Sequence, residues 1–246
     1  MPLIARHLIV FTIFIASLAL MLVQSPFGQD QEYHNFADHR AFLGIPNFGD
    51  VVSNLAFIIA GLYGLKVCFS KQLGPMQMAW VTSFLGVALV GVASSYYHWN
   101  PTDEILVPDR MSLTIGFMGL FIAVVGEYIS ERLRLLLIPA VMIGIASVLY
   151  WHWFNDLRFY YWVQGAPLVL LPFIMLLYPP KYSHRSLLFA GVFLYGVAKL
   201  AELGDKVVFA ATQEIISGHT IKHLVAGLAC FVIALSLEKR TEIIAH

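Results

Sequence analysis

Residues 217–237 read Ser217-Gly-His-Thr-Ile-Lys-His-Leu-Val-Ala-Gly-Leu-Ala-Cys-Phe-Val-Ile-Ala-Leu-Ser-Leu237. A run of this length and apolarity crosses a bilayer as a helix, which takes about 20 residues. Its opening turns carry something else. His219 and His223 are four residues apart, so on a helix they share one face and both imidazoles can turn toward one point. Two imidazoles at a water-to-lipid boundary are costly unless something binds them. Two questions follow: whether the rest of the chain is built of similar spans, and whether it brings further ligands, a proton-transfer group and an apolar pocket to the same end.

Composition answers the first. Of 246 residues 59% are apolar and 12% charged, with a mean hydropathy of +0.75; a soluble domain carries about a quarter of charged residues. The chain reads as an all-α, polytopic membrane protein. Its formal charge is zero and it has no basic tract, so nothing points to a nucleic-acid partner. Cys68 and Cys230 each lie inside an apolar run and read as packing residues, not as a disulfide or a thiolate metal site.

Apolar runs fall at Leu8–Val23, 51–70, 77–97, 111–128, 133–153, 160–178, 186–201 and 216–237, which predicts eight spanning helices. The first could be a targeting segment, but it ends in Leu20-Met-Leu-Val-Gln-Ser-Pro-Phe27 without a small-residue cleavage site and reads as a retained helix. The expected division is an N-terminal helix or targeting segment over 1–27, a seven-helix domain over 28–240, and a cytoplasmic tail over 241–246. Residues 25–48 form the longest polar segment and read as a solvated loop.

With the N-terminus inside, nine of the fifteen Lys and Arg residues fall on the inner side and six on the outer, which favours both termini inside. That topology brings four helix ends together on the outer side. They carry Asp50, Ser53 and Asn54; Ser94 and His98; Asp109; and His219 with His223. Ser94 and His98 are again i and i+4, so a metal on His98 would sit near the Ser94 hydroxyl. His98 alone reads as an interfacial residue; joined to His219 and His223 it completes three nitrogen ligands, the set that leaves zinc one open tetrahedral position. Asp109, in Val107-Pro-Asp-Arg-Met111, reads either as a carboxylate at a helix N-terminus, with Pro108 in the turn, or as the group that accepts a proton from water made acidic by the metal. Arg110 reads as an interfacial anchor. Glu202 and Asp205 could orient a ligand histidine, or pair with Lys199 and Lys206. Trp151-His-Trp153 and Tyr160-Tyr-Trp162 read as an aromatic belt at the membrane interface. Gly86, Gly91, Gly116 and Gly119 read as close-packing positions that could also leave room for an acyl chain.

As a set, Asp50-Val-Val-Ser-Asn-Leu55, Ser94-x-x-x-His98, Asp109 and His219-x-x-x-His223 resemble the alkaline ceramidase family. Ile45-Pro-Asn-Phe-Gly-Asp50, Val107-Pro-Asp-Arg-Met111 and Ser217-Gly-His-Thr-Ile-Lys-His223 are similar to its bacterial branch, and the resemblance covers about residues 30–237. It implies a seven-helix intramembrane zinc amidase, of a superfamily that includes adiponectin-type receptors. His98, His219 and His223 would hold zinc, Asp109 would be the general acid-base group, and Ser94 could stabilise the oxyanion. The substrate would be a ceramide-like lipid amide within the membrane lipids, and the place a bacterial inner membrane with the metal near the periplasmic face. The family's eukaryotic members also hold calcium ahead of the first core helix. Asp38, Asp50 and Asn54 are the candidates here, together with Asp30 and Glu32, although Asn47 stands where the family places a glutamate. The first apolar run has no counterpart in the seven-helix core. The alternative reading is a receptor or lipid-binding protein with a structural zinc; a transporter would want charges or broken helices near the midplane, and none is evident.

Overall fold

The computed structural model describes residues 1–243, so residues 244–246 of the expected tail lie outside the described part. The helices in chain order are α1 (Leu3–Val23), α2 (Phe48–Ser53), α3 (Leu55–Ser70), α4 (Gln77–Trp99), α5 (Asp103–Tyr128), α6 (Leu137–Phe154), α7 (Arg158–Leu177), α8 (Arg185–Leu203), α9 (Asp205–Ala211) and α10 (Gly218–Lys239). Three short 3₁₀ turns precede α2, α4 and α6. Among the described residues the only β contacts are two isolated bridges, Phe42 with Ile45 and Tyr182 with Glu242. Eight helical segments, with α2 and α3 counted as one, are long and apolar enough to cross a membrane. The protein is thus an all-α, multi-pass bundle of seven helices with one more at its N-terminus.

Two boundaries differ from those expected. The helix α5 begins at Asp103, two turns before the apolar run. Thr102 caps it, its hydroxyl accepting the Ile105 N–H at 3.3 Å, and Asp103 and Glu104 favour the positive end of the dipole. Pro108 therefore lies inside the helix, and Asp109 sits in its second turn instead of at its N-terminus. The connector after Leu203 is not irregular either. Its first part winds into α9, and the chain then turns through Gln213 and Glu214, both at positive φ, to reach Ser217.

In the core of the bundle α10 packs between α3 and α8, α3 leads to α4, α4 to α5, and α5 contacts both α6 and α7. The close approach of α4 and α5 depends on glycine. A Cβ on Gly86 would stand 2.3 Å from the Gly116 backbone nitrogen, and one on Gly119 2.4 Å from that of Ser83. Backbones can meet this way only without side chains between them. Gly86→Ala should therefore cost about 1–3 kcal/mol of overpacking strain, read as a lowered Tm in detergent.

By contrast α7 and α8 touch only sparsely. The N-terminal α1 buries none of its residues; it lies along α7, with Phe14 edge-on to Trp162 at 5.4 Å and the Trp162 indole N–H donating to Ser17 at 3.1 Å. At the opposite end of the chain, residues 241–243 pair with the α7–α8 connector through Ser183 N–H to Thr241 O and Ile243 N–H to Lys181 O.

Candidate metal centre

The start of α10 is fixed before its histidines are placed. Ser217 caps the helix by accepting the Thr220 N–H at 2.9 Å. Its hydroxyl and that of Thr220 both donate to one oxygen of buried Asp50, at 3.1 and 2.7 Å, which ties α10 to α2. Asp205 at the start of α9 accepts the backbone N–H of His219 at 2.8 Å and that of Ala37 at 2.9 Å. Gly218 makes this possible, since a Cβ there would meet the Ala201 carbonyl at 2.2 Å. His219 and His223 then face inward on successive turns, and His98 arrives from the last turn of α4.

All three imidazoles are buried, and each offers a ligand nitrogen within 4.8 Å of the other two. Their ring centroids form a near-equilateral triangle of 4.7, 4.8 and 4.8 Å. His98 Nε2 and His219 Nε2 stand 3.2 Å apart. Nitrogens bound tetrahedrally to zinc at about 2.0–2.1 Å lie roughly 3.3 Å from one another. His223 Nδ1 is 3.1 Å from the Asp50 carbonyl and 2.8 Å from Ser53 Oγ. Because a carbonyl only accepts, Nδ1 carries the proton and Nε2 keeps its lone pair, the arrangement a ligand histidine needs. The Lys222 ammonium donates to His219 Nε2 at 2.6 Å, so that nitrogen also presents a lone pair, and a cation already rests against it. His98 Nδ1 is buried without a hydrogen-bond partner among the described residues. Three buried imidazoles at this spacing, two of them with Nε2 lone pairs, suit a metal ion.

The polar segment before α2 is solvated along much of its length, but it buries Phe36, Asp38 and Asn47. Phe36 is 3% exposed and packs on His98 and His219, at centroid distances of 4.6 and 5.0 Å. The buried Asn47 amide donates to the His98 carbonyl at 2.8 Å. His34 links Tyr97 Oη, at 2.8 Å, to Asp103, at 3.1 Å. This segment covers the His98–His219 side of the cluster. The sequence signal was slight: Phe36 and Tyr33 are the only large apolar side chains between Phe27 and Phe42.

Beneath the cluster a cavity of about 180 Å³ opens between α3, α4, α5, α7, α8 and α10. Its polar end presents Ser94, Asp109, Lys222 and His223; below, Phe84, Phe117, Leu171 and Ile233 line it. Gly116 lies on its wall, so that glycine serves both close packing and space. Cys230 is also on the wall and Cys68 is buried in the core; neither is in a disulfide.

The other candidates fall as follows. Asp38, Asp50 and Asn54 are all buried; Asp38 pairs with Arg40, whereas Asn54 bonds to Asp50. Arg40 binds both oxygens of Asp38 at 2.8 and 2.7 Å, placing a guanidinium against that carboxylate. Burial pushes the Asp38 carboxyl up, but the Arg40 hydrogen bonds outweigh it and hold it below the ordinary carboxylate range. Asp50 takes both hydroxyls on Oδ1, whereas its Oδ2 and Asn54 Oδ1 are buried without a hydrogen-bond partner among the described residues; the Asn54 amide donates to the Asp50 carbonyl at 2.9 Å. Among the described residues only the three histidines gather as a group of three histidine, cysteine or acidic side chains that could hold a metal. Neither Glu202 nor Asp205 touches an imidazole. Glu202 binds Lys199 and, at 2.9 Å, Lys222 instead of Lys206, and Asp205 holds His219 by its backbone. Lys206 approaches Glu32 at 3.6 Å. Two of the six residues of the expected aromatic belt are inside: Trp151 and Tyr160 are buried, and with Tyr33 they surround the buried Arg110, with its guanidinium carbon 4.1, 4.7 and 5.6 Å from the three ring centres. Trp153 and Tyr161 stay exposed. Arg110 is thus no surface anchor; a cation stacked on aromatic faces is better stabilised than one exposed to lipid.

No family model and no curated protein sequence matches this chain. Fold and site together define a multi-pass helical membrane protein with a buried three-histidine cluster that could hold a metal ion.

Proposed function

We propose that the protein is an intramembrane zinc-dependent amidase that cleaves the N-acyl bond of ceramide-like lipid amides to a fatty acid and a free amine. The observation that carries this reading is a buried cluster of three imidazoles, one of which, His223, lines an apolar cavity together with Ser94 and Asp109. Ser83 and Ser94 both line it, and on one helix they are ~16 Å apart along the axis. The sparse α7–α8 contact and the exposed, cavity-lining Tyr161 favour sideways entry of a chain from the lipid.

Zinc held there would supply the Lewis acidity that activates water and polarises the carbonyl. The protein's side chains do the rest. Ser53 and the Asp50 carbonyl keep the His223 ring turned inward. Phe36 and its segment cover the His98–His219 side of the cluster against bulk water. Asp109 takes the proton of the attacking water and passes it to the amide nitrogen as the C–N bond breaks, so hydroxyl ends on the acyl carbon and hydrogen on the amine. The Ser94 hydroxyl donates to the oxygen that gains charge, an effect worth about 3–4 kcal/mol where such donors are preorganised. In this reading the site faces the periplasmic side of a bacterial inner membrane, as the excess of Lys and Arg at the other set of helix ends favours.

The test is fatty-acid release from labelled N-acyl sphingosine and related lipid amides by the purified protein, with metal content measured on the same sample. Release with close to one equivalent of zinc is expected. Metal bound without release from any N-acyl lipid would favour a receptor or lipid-binding protein with a structural zinc.

A further inference from the structure

Arg110 is 3% exposed and lies on the wall of the same cavity, next in sequence to Asp109. A buried guanidinium is normally matched by a carboxylate, because an unmatched charge in a low-dielectric interior is costly. This one has no carboxylate partner among the described residues, Asp109 included. One terminal nitrogen donates to the Gln29 side-chain oxygen at 2.5 Å; the other, Nη1, is buried with no hydrogen-bond partner. The rings of Trp151, Tyr160 and Tyr33 hold the plane in place and offer faces, not acceptors. The surrounding charge leans the same way. Three cations on the cavity wall, Arg110, Lys199 and Lys222, face two carboxylates, Asp109 and Glu202, and both lysines are already bound to Glu202. The lining thus carries one net positive charge and Arg110 is bonded to no carboxylate; a guanidinium fork suits a planar two-oxygen acceptor.

We infer that Arg110 receives a carboxylate at the polar end of the cavity, so that the lipid amide taken here carries an anionic headgroup, as an N-acyl amino acid does. The inference rests on the amidase reading and narrows it from lipid amides in general to those with a negative charge near the scissile bond. The same chemistry could serve the carboxylate of a released fatty acid, and the experiment separates the two.

Equilibrium binding of N-oleoylglycine, N-oleoylethanolamine and oleate to the full-length protein in detergent, with and without chelator, is read by displacement of a fluorescent fatty acid. The glycine conjugate should bind about tenfold or more tightly than the neutral ethanolamide, the scale of a charge-assisted hydrogen bond. That ratio should collapse toward one in Arg110→Met, whose side chain can still fill the aromatic cage, and be partly kept in Arg110→Lys. Equal binding of the two amides by wild type overturns the inference without reference to any variant. So does a preference that survives in Arg110→Met, or an Arg110 dependence confined to oleate, which would make this a product site. Release assays on the same lipids keep the two readings apart. Hydrolysis without the charge preference removes the inference and leaves the amidase, whereas the preference without hydrolysis does the reverse.

Discussion

His223→Ala is expected to abolish fatty-acid release and to leave the purified protein with little metal. Removing even a residue that only orients a ligand lowers metal affinity about 10- to 100-fold, and this change deletes the ligand itself. The fold should survive it. The Ser53 hydroxyl keeps its bond to the Asp50 carbonyl at 3.1 Å, so no buried donor is orphaned there, and the remaining loss is packing around a single ring. The destabilisation should fall within the usual range for a buried truncation, about 1–3 kcal/mol, seen as a modest drop in Tm. Elemental analysis beside the release assay checks the pairing. Wild-type metal content in the alanine protein would remove His223 from the ligand set.

Asp109→Asn should separate metal binding from turnover. Asp109 is on α5, on the cavity wall, and is not among the three side chains that gather at the centre. The amide has nearly the same shape, so the cavity is preserved, but it cannot accept and return a proton. Loss of a positioned general acid-base group typically costs 10²–10⁴-fold, so turnover should fall by about that factor while metal content stays at the wild-type level. If Asp109→Asn released fatty acid at the normal rate, its proton-transfer role would be wrong and another group on the cavity wall would have to be sought.

Much of the site was legible because it depends on short-range geometry. The His219–His223 and Ser94–His98 pairs follow from one helical turn, and counting spans was enough to bring the ends of α2, α4, α5 and α10 to one side. What failed to read were residues whose neighbours lie far away in the chain. Trp151 and Tyr160 have the composition of an interfacial belt, and only the placement of α6 and α7 against α5 turns their rings onto Arg110. Residues 25–48 have the composition of a solvated loop, and only tertiary packing shows that Phe36 within them is buried against two imidazoles. Lys222 is one turn from His219, but its bond across to Glu202 on α8 exists only once α8 and α10 have packed. The start of α5 was misread for a different reason. Its cap, Thr102, precedes two charged residues and a proline, so the apolar run alone placed the helix two turns late.

By itself, then, the chain determined that this is a bundle of membrane spans and that two histidines share a face at the mouth of the last one. Transfer of each segment into hydrocarbon is close to a sum over its own residues, and the i, i+4 relation is a property of any helix. Tertiary structure alone decided that His98 meets the other two at ligand distance, that Asp50 and Asp205 pin the start of α10, and that Arg110 is buried without an ion-pair partner among the described residues. Most of these outcomes rest on contacts between residues some 80 to 170 positions apart, such as Gln29 with Arg110 and Asp50 with Thr220. No local pattern encodes such pairs; they exist only once the helices have packed.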